Sequence, residues 1–400
     1  MKKTGLSPRN LFHSILVAGM LLRLLFLLFM PAWQSPDEYA HYWVSEQIAS
    51  TGRLPLSKPD DLSYEAYQPP LHYAIVAGLL LFPHEPMTFS VIPHRPAGLL
   101  LALRMISLAC GVGVIFFSYR LFKNMAWLSP NETLLCTAFI AFLPTFVGVT
   151  SSVNNDSLTI FLATLSLFFL FRDTLHDQDA WFSGLAAGLA LLTKLTALII
   201  LPAIFIWIAS RCQKSKRIRI AVLFLLGCSI GWIALLTVNW QQYRSLVAVT
   251  PGVDRGCYFS ASQCLWALRN LSWSYWLAFG RIYQVTAPVA LYLVTVLPAM
   301  VIAAVGWLRM RRGQPGLFLL TNISLLLGTG ASLWFTLSYP PGMQTSWGKN
   351  LYPLLPLSAI FMILGVRNAF ARLRNAIPVI LIALLLCGCL YGWLGLQSLQ

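Results

Sequence analysis

The chain has 400 residues, 58% of them hydrophobic and only 10% charged, with 28 Lys and Arg against 13 Asp and Glu for a formal net charge of +15. A soluble domain of this length needs more charge on its surface, so the composition defines a polytopic membrane protein. Nucleic-acid binding is excluded, because the basic residues sit in short clusters between apolar runs, as loops kept on the cytoplasmic side do.

Residues 1–10 carry Lys2, Lys3 and Arg9 and are expected inside. The apolar run 11–30 is long enough to cross a bilayer and lacks an Ala-x-Ala-like cleavage site, so it reads as a retained anchor. Directly after it comes Trp33-Gln34-Ser35-Pro36-Asp37-Glu38-Tyr39-Ala40-His41-Tyr42-Trp43. Aromatic side chains favour the interface at that depth, whereas carboxylates gain nothing there unless used or paired. Asp37 and Glu38 therefore read either as complements of a helix N-terminus or as working groups. If Pro36 opens that helix, Asp37 and His41 share a face, where they would suit a metal ion as well as a substrate. The first outer loop, residues 32–96, also holds Glu46, Asp60, Asp61, Glu65, Glu85, His72, His84 and His94. Most groups suited to acid–base chemistry are thus concentrated in one segment.

The apolar stretch after Tyr67-Gln68-Pro69-Pro70 is about 14 residues where roughly 20 are needed, so it is expected to lie in the outer interface rather than cross. Run 97–119 ends at Arg120 and Lys123, inside. Run 133–149 returns outward and delivers Asn154, Asn155 and Asp156. Run 158–171 goes back in. The long run 184–208 contains Lys194, which would cost a few kcal/mol or more at the bilayer centre. It is therefore split into two crossings with Lys194 at the outer turn, and Gly184 and Gly188 are assigned to helix packing. Residues 211–219 hold five basic side chains and form the clearest inner loop. Run 220–238 leads to a second large outer segment, 239–283. That segment has a Trp-rich interfacial helix at 265–281 and, in an oxidising compartment, a possible Cys257–Cys264 disulfide. Runs 285–307, 317–337, 351–366 and 377–396 complete an all-α bundle of about eleven crossings, with no soluble domain and no internal repeat.

This topology brings Asp37, Glu38, Asn155, Asp156, Lys194, Trp347 and Lys349 to one outer face, with Arg104 just inside its span and Arg281 nearby. Cations there can hold the phosphate of a lipid whose tail lies between helices, while a carboxylate takes a proton from an incoming hydroxyl or amine. Asp156 has an alternative reading as a helix cap, and Lys349 and Arg281 as snorkelling side chains.

The aromatic-x-x-Pro-Asp-Glu loop after the first span resembles that of the GT-C superfamily of membrane glycosyltransferases, in the group of protein O-mannosyltransferases and aminoarabinose transferases. Gln68-Pro69-Pro70-Leu71, Asn155-Asp156, the stretch from Gly188 to Lys194, and Gly348-Lys349-Asn350-Leu351-Tyr352-Pro353 are similar to further elements of these enzymes, in the same order. The resemblance implies Asp37 as catalytic base, Glu38 as a group ordering the loop, and Arg104, Lys194 and Lys349 as candidates for holding donor phosphate. It implies a polyprenyl-phosphate sugar donor and a cell-envelope acceptor (surface polysaccharide, lipid A or protein) at the periplasmic face of a bacterial inner membrane. The chain departs from the pattern where Gln68 replaces a lysine and Lys349-Asn350 replaces Arg-Tyr, so bidentate phosphate binding is lost at that position. A divalent metal on Asp37 or Asp156 stays open. So do the rival functions, a lipid or glycolipid flippase and a non-catalytic partner of a polysaccharide-export system.

Overall fold

The computed structural model describes residues 7–58, 62–82, 98–172, 174–246, 258–280, 285–286, 315–338, 347–369 and 376–398, with single positions at 248 and 256 and others between 289 and 308. The helices are α1 Pro8–Phe29, α2 Glu38–Thr51, α3 Leu71–Leu80, α4 Gly98–Lys123, α5 Pro130–Phe142, α6 Pro144–Val149, α7 Asn155–Leu170 and α8 Asp177–Leu191. They continue as α9 Ile200–Arg211, α10 Lys214–Tyr243, α11 Ala261–Trp276, α12 Pro315–Leu337, α13 Leu355–Ala369 and α14 Ala376–Gln397. Short 3-10 helices fill Leu62–Tyr67, Leu195–Ile199 and Gly348–Leu354. A two-residue antiparallel ladder pairs β1 Ala278–Phe279 with β2 Val285–Thr286.

Chains this apolar fold as helices because lipid offers no partner for a backbone N–H or C=O. Among the described residues five helices are long and apolar enough to cross a membrane, and all five coincide with expected crossings. Of the remaining apolar helices α12 has 23 residues, whereas α7 has 16. The α3 helix, at 10 residues, is too short to span, as its sequence requires. The run expected at 133–149 is broken where Pro144 ends α5 and starts α6, since proline cannot donate to the preceding turn.

The Gly184 and Gly188 spacing is a packing device. A Cβ on Gly184 would lie 1.9 Å from the Phe224 carbonyl oxygen, and one on Gly231 would lie 2.1 Å from that of Gly188. The α8 and α10 backbones thus meet through four glycines, Gly184 and Gly188 against Gly227 and Gly231. The segment Gly348–Arg367 is 83% buried and forms the centre of the bundle, whereas the apolar window of α10 is 33% buried and lies at its edge. Lys349 therefore sits at the head of the central helix. At the other end Arg367 pairs with Glu132 and reaches the Trp127 carbonyl, which gathers the α4–α5 turn and the end of α13 on one face.

Candidate active site

The Asp37 loop is held by a buried ion pair. Arg104 of α4 donates from Nε and Nη2 to the two carboxylate oxygens of Glu38, at 2.8 and 2.7 Å. The same carboxylate accepts the backbone N–H of Trp33 and of Val153. The other guanidinium hydrogens go to the carbonyls of Leu27, Met30 and Pro31, which are left without partners where α1 ends. One arginine thus fastens α1, α2, α4 and the loop before α7. Both side chains are fully buried.

Asp37 precedes α2 in the left-handed region, φ +60°, a conformation non-glycine residues seldom adopt. Its side chain makes no capping bond. It is partly exposed and accepts a 2.7 Å hydrogen bond from the Tyr64 hydroxyl. Asp37 thus stands at the N-terminus of α2 without capping it. The neighbouring Ser35 donates to Ser152, tying this loop to the one that leads into α7.

Asp156, in the first turn of α7, carries two ammonium groups: Lys194 Nζ at 2.6 Å and Lys349 Nζ at 2.9 Å. Capping of α7 falls to Asn154, whose side chain accepts the Ser157 N–H, so the capping alternative for Asp156 is corrected. Lys194 follows α8, just before the 3-10 helix Leu195–Ile199. Lys349 is fixed because the Gly348–Leu354 turn packs on the backbone of α11. A Cβ on Gly348 would lie 2.2 Å from the Tyr275 nitrogen, and Gly348 donates to the Ser274 hydroxyl. Trp347, half-buried, opens that turn. Two cations on one carboxylate leave a fixed positive charge. A crevice lined by Ser35, Pro36, Gly148, Asn154 and Lys349 joins this cluster to the Asp37 loop.

A hydrogen-bonded layer lies beneath. Asn155 donates to Gln68 at 2.6 Å, and Gln68 donates to Glu65. Tyr73 donates to the Glu65 carbonyl and pairs with His41 Nδ1 at 3.0 Å. Burial first, then the neighbouring Asp37 charge, pushes the Glu65 carboxyl up to about 8. Burial also holds His72 down to about 4 and His41 well below the usual imidazole range. Tyr64 is raised above the ordinary phenol range, by burial and by Asp37.

The structure brings together Asp37, Gln68, Asn155, Asp156, Lys194 and Lys349, with Tyr67 half-buried beside them. Arg104 as a phosphate ligand is a correction: all five of its N–H groups are already used within the protein. His41 is also moved, from the substrate surface to the packed interior against Tyr73. The two carboxylates considered for a metal meet a tyrosine hydroxyl and two lysines, and no three His, Cys, Asp or Glu side chains converge as a metal-ligand set among the described residues. Arg281 and Cys257, and with Cys257 the suggested disulfide, lie outside the described residues. Sequence reasoning missed Tyr64, which no spacing rule marks. It also missed Arg23, whose place inside the first apolar run was a usable signal. Arg23 is fully buried, donating to Thr150 and to the carbonyls of Gly19 and Ala141.

The fold is shared with solved membrane transferases at 15% identity or below. ArnT from Cupriavidus metallidurans in the apo state superposes with a TM-score of 0.57 at 13% identity, covering 98% of this chain and 76% of that one. The same protein bound to undecaprenyl phosphate gives 0.55 at 15% identity, over 96% and 75%. The apo oligosaccharyltransferase of Archaeoglobus fulgidus gives 0.54 at 13%, over 97% of this chain but 55% of its own. Against the S. cerevisiae Pmt1-Pmt2 complex bound to its sugar donor the values are 0.44 and 15%, and the chain spans 35% of that chain's length. In sequence, the dolichyl-phosphate-mannose-protein mannosyltransferase family matches residues 98–240. No curated protein matches.

Proposed function

We propose that the protein is an inverting glycosyltransferase that moves a sugar from a polyprenyl phosphate to an acceptor hydroxyl or amine. The reading rests on one observation: the loop that carries a partly exposed carboxylate, Asp37, is joined through a crevice lined by Ser35 and Pro36 to Lys349 of a cluster with one positive charge in excess, Asp156 with Lys194 and Lys349. Transfer from a lipid phosphate requires this pairing, because the nucleophile loses a proton as the leaving group gains charge.

In this mechanism Asp37 takes the acceptor's proton as its oxygen or nitrogen attacks the anomeric carbon. The carbon–phosphate oxygen bond breaks on the opposite face, and Lys349 and Lys194 hold the departing polyprenyl phosphate. Tyr64 fixes the direction in which Asp37 presents its free oxygen. Undecaprenyl phosphate bound to a structural neighbour supports the carrier class. The site faces the periplasm of a bacterial inner membrane, with the basic loops inside, and the acceptor is an envelope glycan, lipid A or protein. A periplasmic loop at 32–96 carries the catalytic motif of a single transmembrane domain, and 239–283 is its second large periplasmic segment.

The test is transfer from a panel of radiolabelled undecaprenyl-phosphate sugars in membranes, wild type beside Asp37→Asn. Label entering envelope material only with the wild type supports the reading and names the donor. Equal transfer by both proteins removes Asp37 from the chemistry.

A further inference from the structure

At the opposite end of α7 and α8 from the Asp156 cluster, the structure holds a second and larger cavity of about 590 Å3. It opens where the α4–α5, α7–α8 and α9–α10 turns meet. Its described lining includes the cations Arg172, Arg211 and Lys216 together with the aromatics Trp127, Phe171 and Trp207, and no carboxylate. Two neighbouring Asp residues are paired with arginines, Asp179 with Arg172 at 2.6 Å and Asp177 with Arg219, so Arg172 enters the lining already neutralised. Arg211 and Lys216 are exposed, and the Arg211 guanidinium stands 5.2 Å over the Trp207 ring. Trp207 in turn stacks on Phe171 at 3.9 Å, which makes a flat, rigid apolar wall.

A small soluble anion would not need an aromatic wall beside the cations, and an apolar ligand would not need the cations. An amphiphile with an anionic head uses both. The cavity has the size of an ordinary ligand site, roughly 300–1,000 Å3. Basic pockets between membrane helices suit phosphate-bearing lipid heads. We propose that this cavity is a binding site for the phosphate headgroup of an anionic phospholipid, with Arg211 and Lys216 on the phosphate and Trp207 and Phe171 against the glycerol and upper acyl chain. It is separate from the Asp37 crevice and does not depend on the reaction proposed there. The lipid would brace the turns that set α7 and α8, and hence the height of Asp156 and Lys194 at their far ends.

The experiment is native mass spectrometry of the full chain in a neutral detergent, titrated with phosphatidylglycerol or with phosphatidylcholine of equal chain length. The wild type should retain phosphatidylglycerol about thirtyfold better, from about fivefold per basic side chain near a lipid surface. Arg211→Gln with Lys216→Gln should reduce that preference to near unity while leaving the melting temperature unchanged in lipid-free detergent. Equal retention of both lipids by the wild type overturns the proposal. So does a preference that survives the double substitution. Inorganic phosphate at millimolar concentration that displaces phosphatidylglycerol completely also overturns the lipid assignment, and reassigns the cations to a soluble phosphate.

Discussion

Removing Arg104 tests how the candidate site is held. Arg104→Met leaves Glu38 as a buried carboxylate with only the Trp33 and Val153 N–H groups, and strips the Leu27, Met30 and Pro31 carbonyls of their donor. Breaking one side of a buried ion pair costs about 3–5 kcal/mol. The abandoned carbonyls, at about 1–3 kcal/mol each when truly dry, place this case at the upper end. At roughly 2 °C per kcal/mol the apparent melting temperature should fall by about 5–10 °C, read at a single scan rate because membrane proteins unfold irreversibly. Glu38→Gln should fall comparably, since its amide would point N–H groups at donors that now find an oxygen. The double variant Glu38→Leu, Arg104→Met should lose clearly less than the sum, because the two side chains contact each other and neither charge is then left alone. An Arg104→Met protein that melts with the wild type, or strictly additive losses, would refute the role given to this pair.

Further expectations concern the cations, two titrating groups and the helix contact. Lys349→Gln should reduce kcat/KM by about ten- to a hundredfold, the worth of one charge-assisted bond, and lower melting by less than Arg104→Met because Lys194 still pairs with Asp156; an unchanged kcat/KM removes it from phosphate binding. Glu65, folded at about 8 and unfolded near the ordinary carboxylate value, binds more protons folded than unfolded. Its contribution is therefore present at low pH and lost as pH rises through about 8, so melting of wild type minus Glu65→Gln should decline between pH 5 and 8; parallel curves would contradict this. His72 has the opposite sign. Held at about 4, its contribution is present above the unfolded imidazole value and lost as pH falls toward 4, a loss His72→Phe should abolish in the same melting series. Gly184→Leu should lower folded yield severely, because its Cβ already meets the Phe224 carbonyl at 1.9 Å; normal yield would mean that α8 and α10 separate at no cost.

The bundle was legible because lipid forces a simple grammar on sequence: apolar length, basic clusters between the apolar runs and a misplaced lysine were enough to locate the turns on which Asp37, Asp156, Lys194 and Lys349 lie. The break at Pro144 and the shortness of α3 follow from local chemistry of the same kind. Pairings across the fold were not legible. Arg104 looked like an intramembrane cation awaiting a ligand, but its five donors all meet partners in the stretch from Leu27 to Glu38, and no spacing encodes that convergence. Tyr64 reaches Asp37 across 27 positions, through a left-handed residue that sequence does not announce. Asp156 was correctly suspected of more than one role, but only the fold shows that Asn154 takes the cap and frees Asp156 for two lysines.

The most direct measurement separates binding from turnover in purified protein. Undecaprenyl phosphate binding and sugar transfer would be followed together for wild type, Asp37→Asn and the Lys194→Gln, Lys349→Gln pair. If Asp37 is the base and the lysines hold the carrier, Asp37→Asn binds the lipid like wild type and transfers at least about a hundredfold more slowly, while the lysine pair fails to bind. Transfer at the wild-type rate by Asp37→Asn, or full lipid binding without both lysines, would contradict that division of labour.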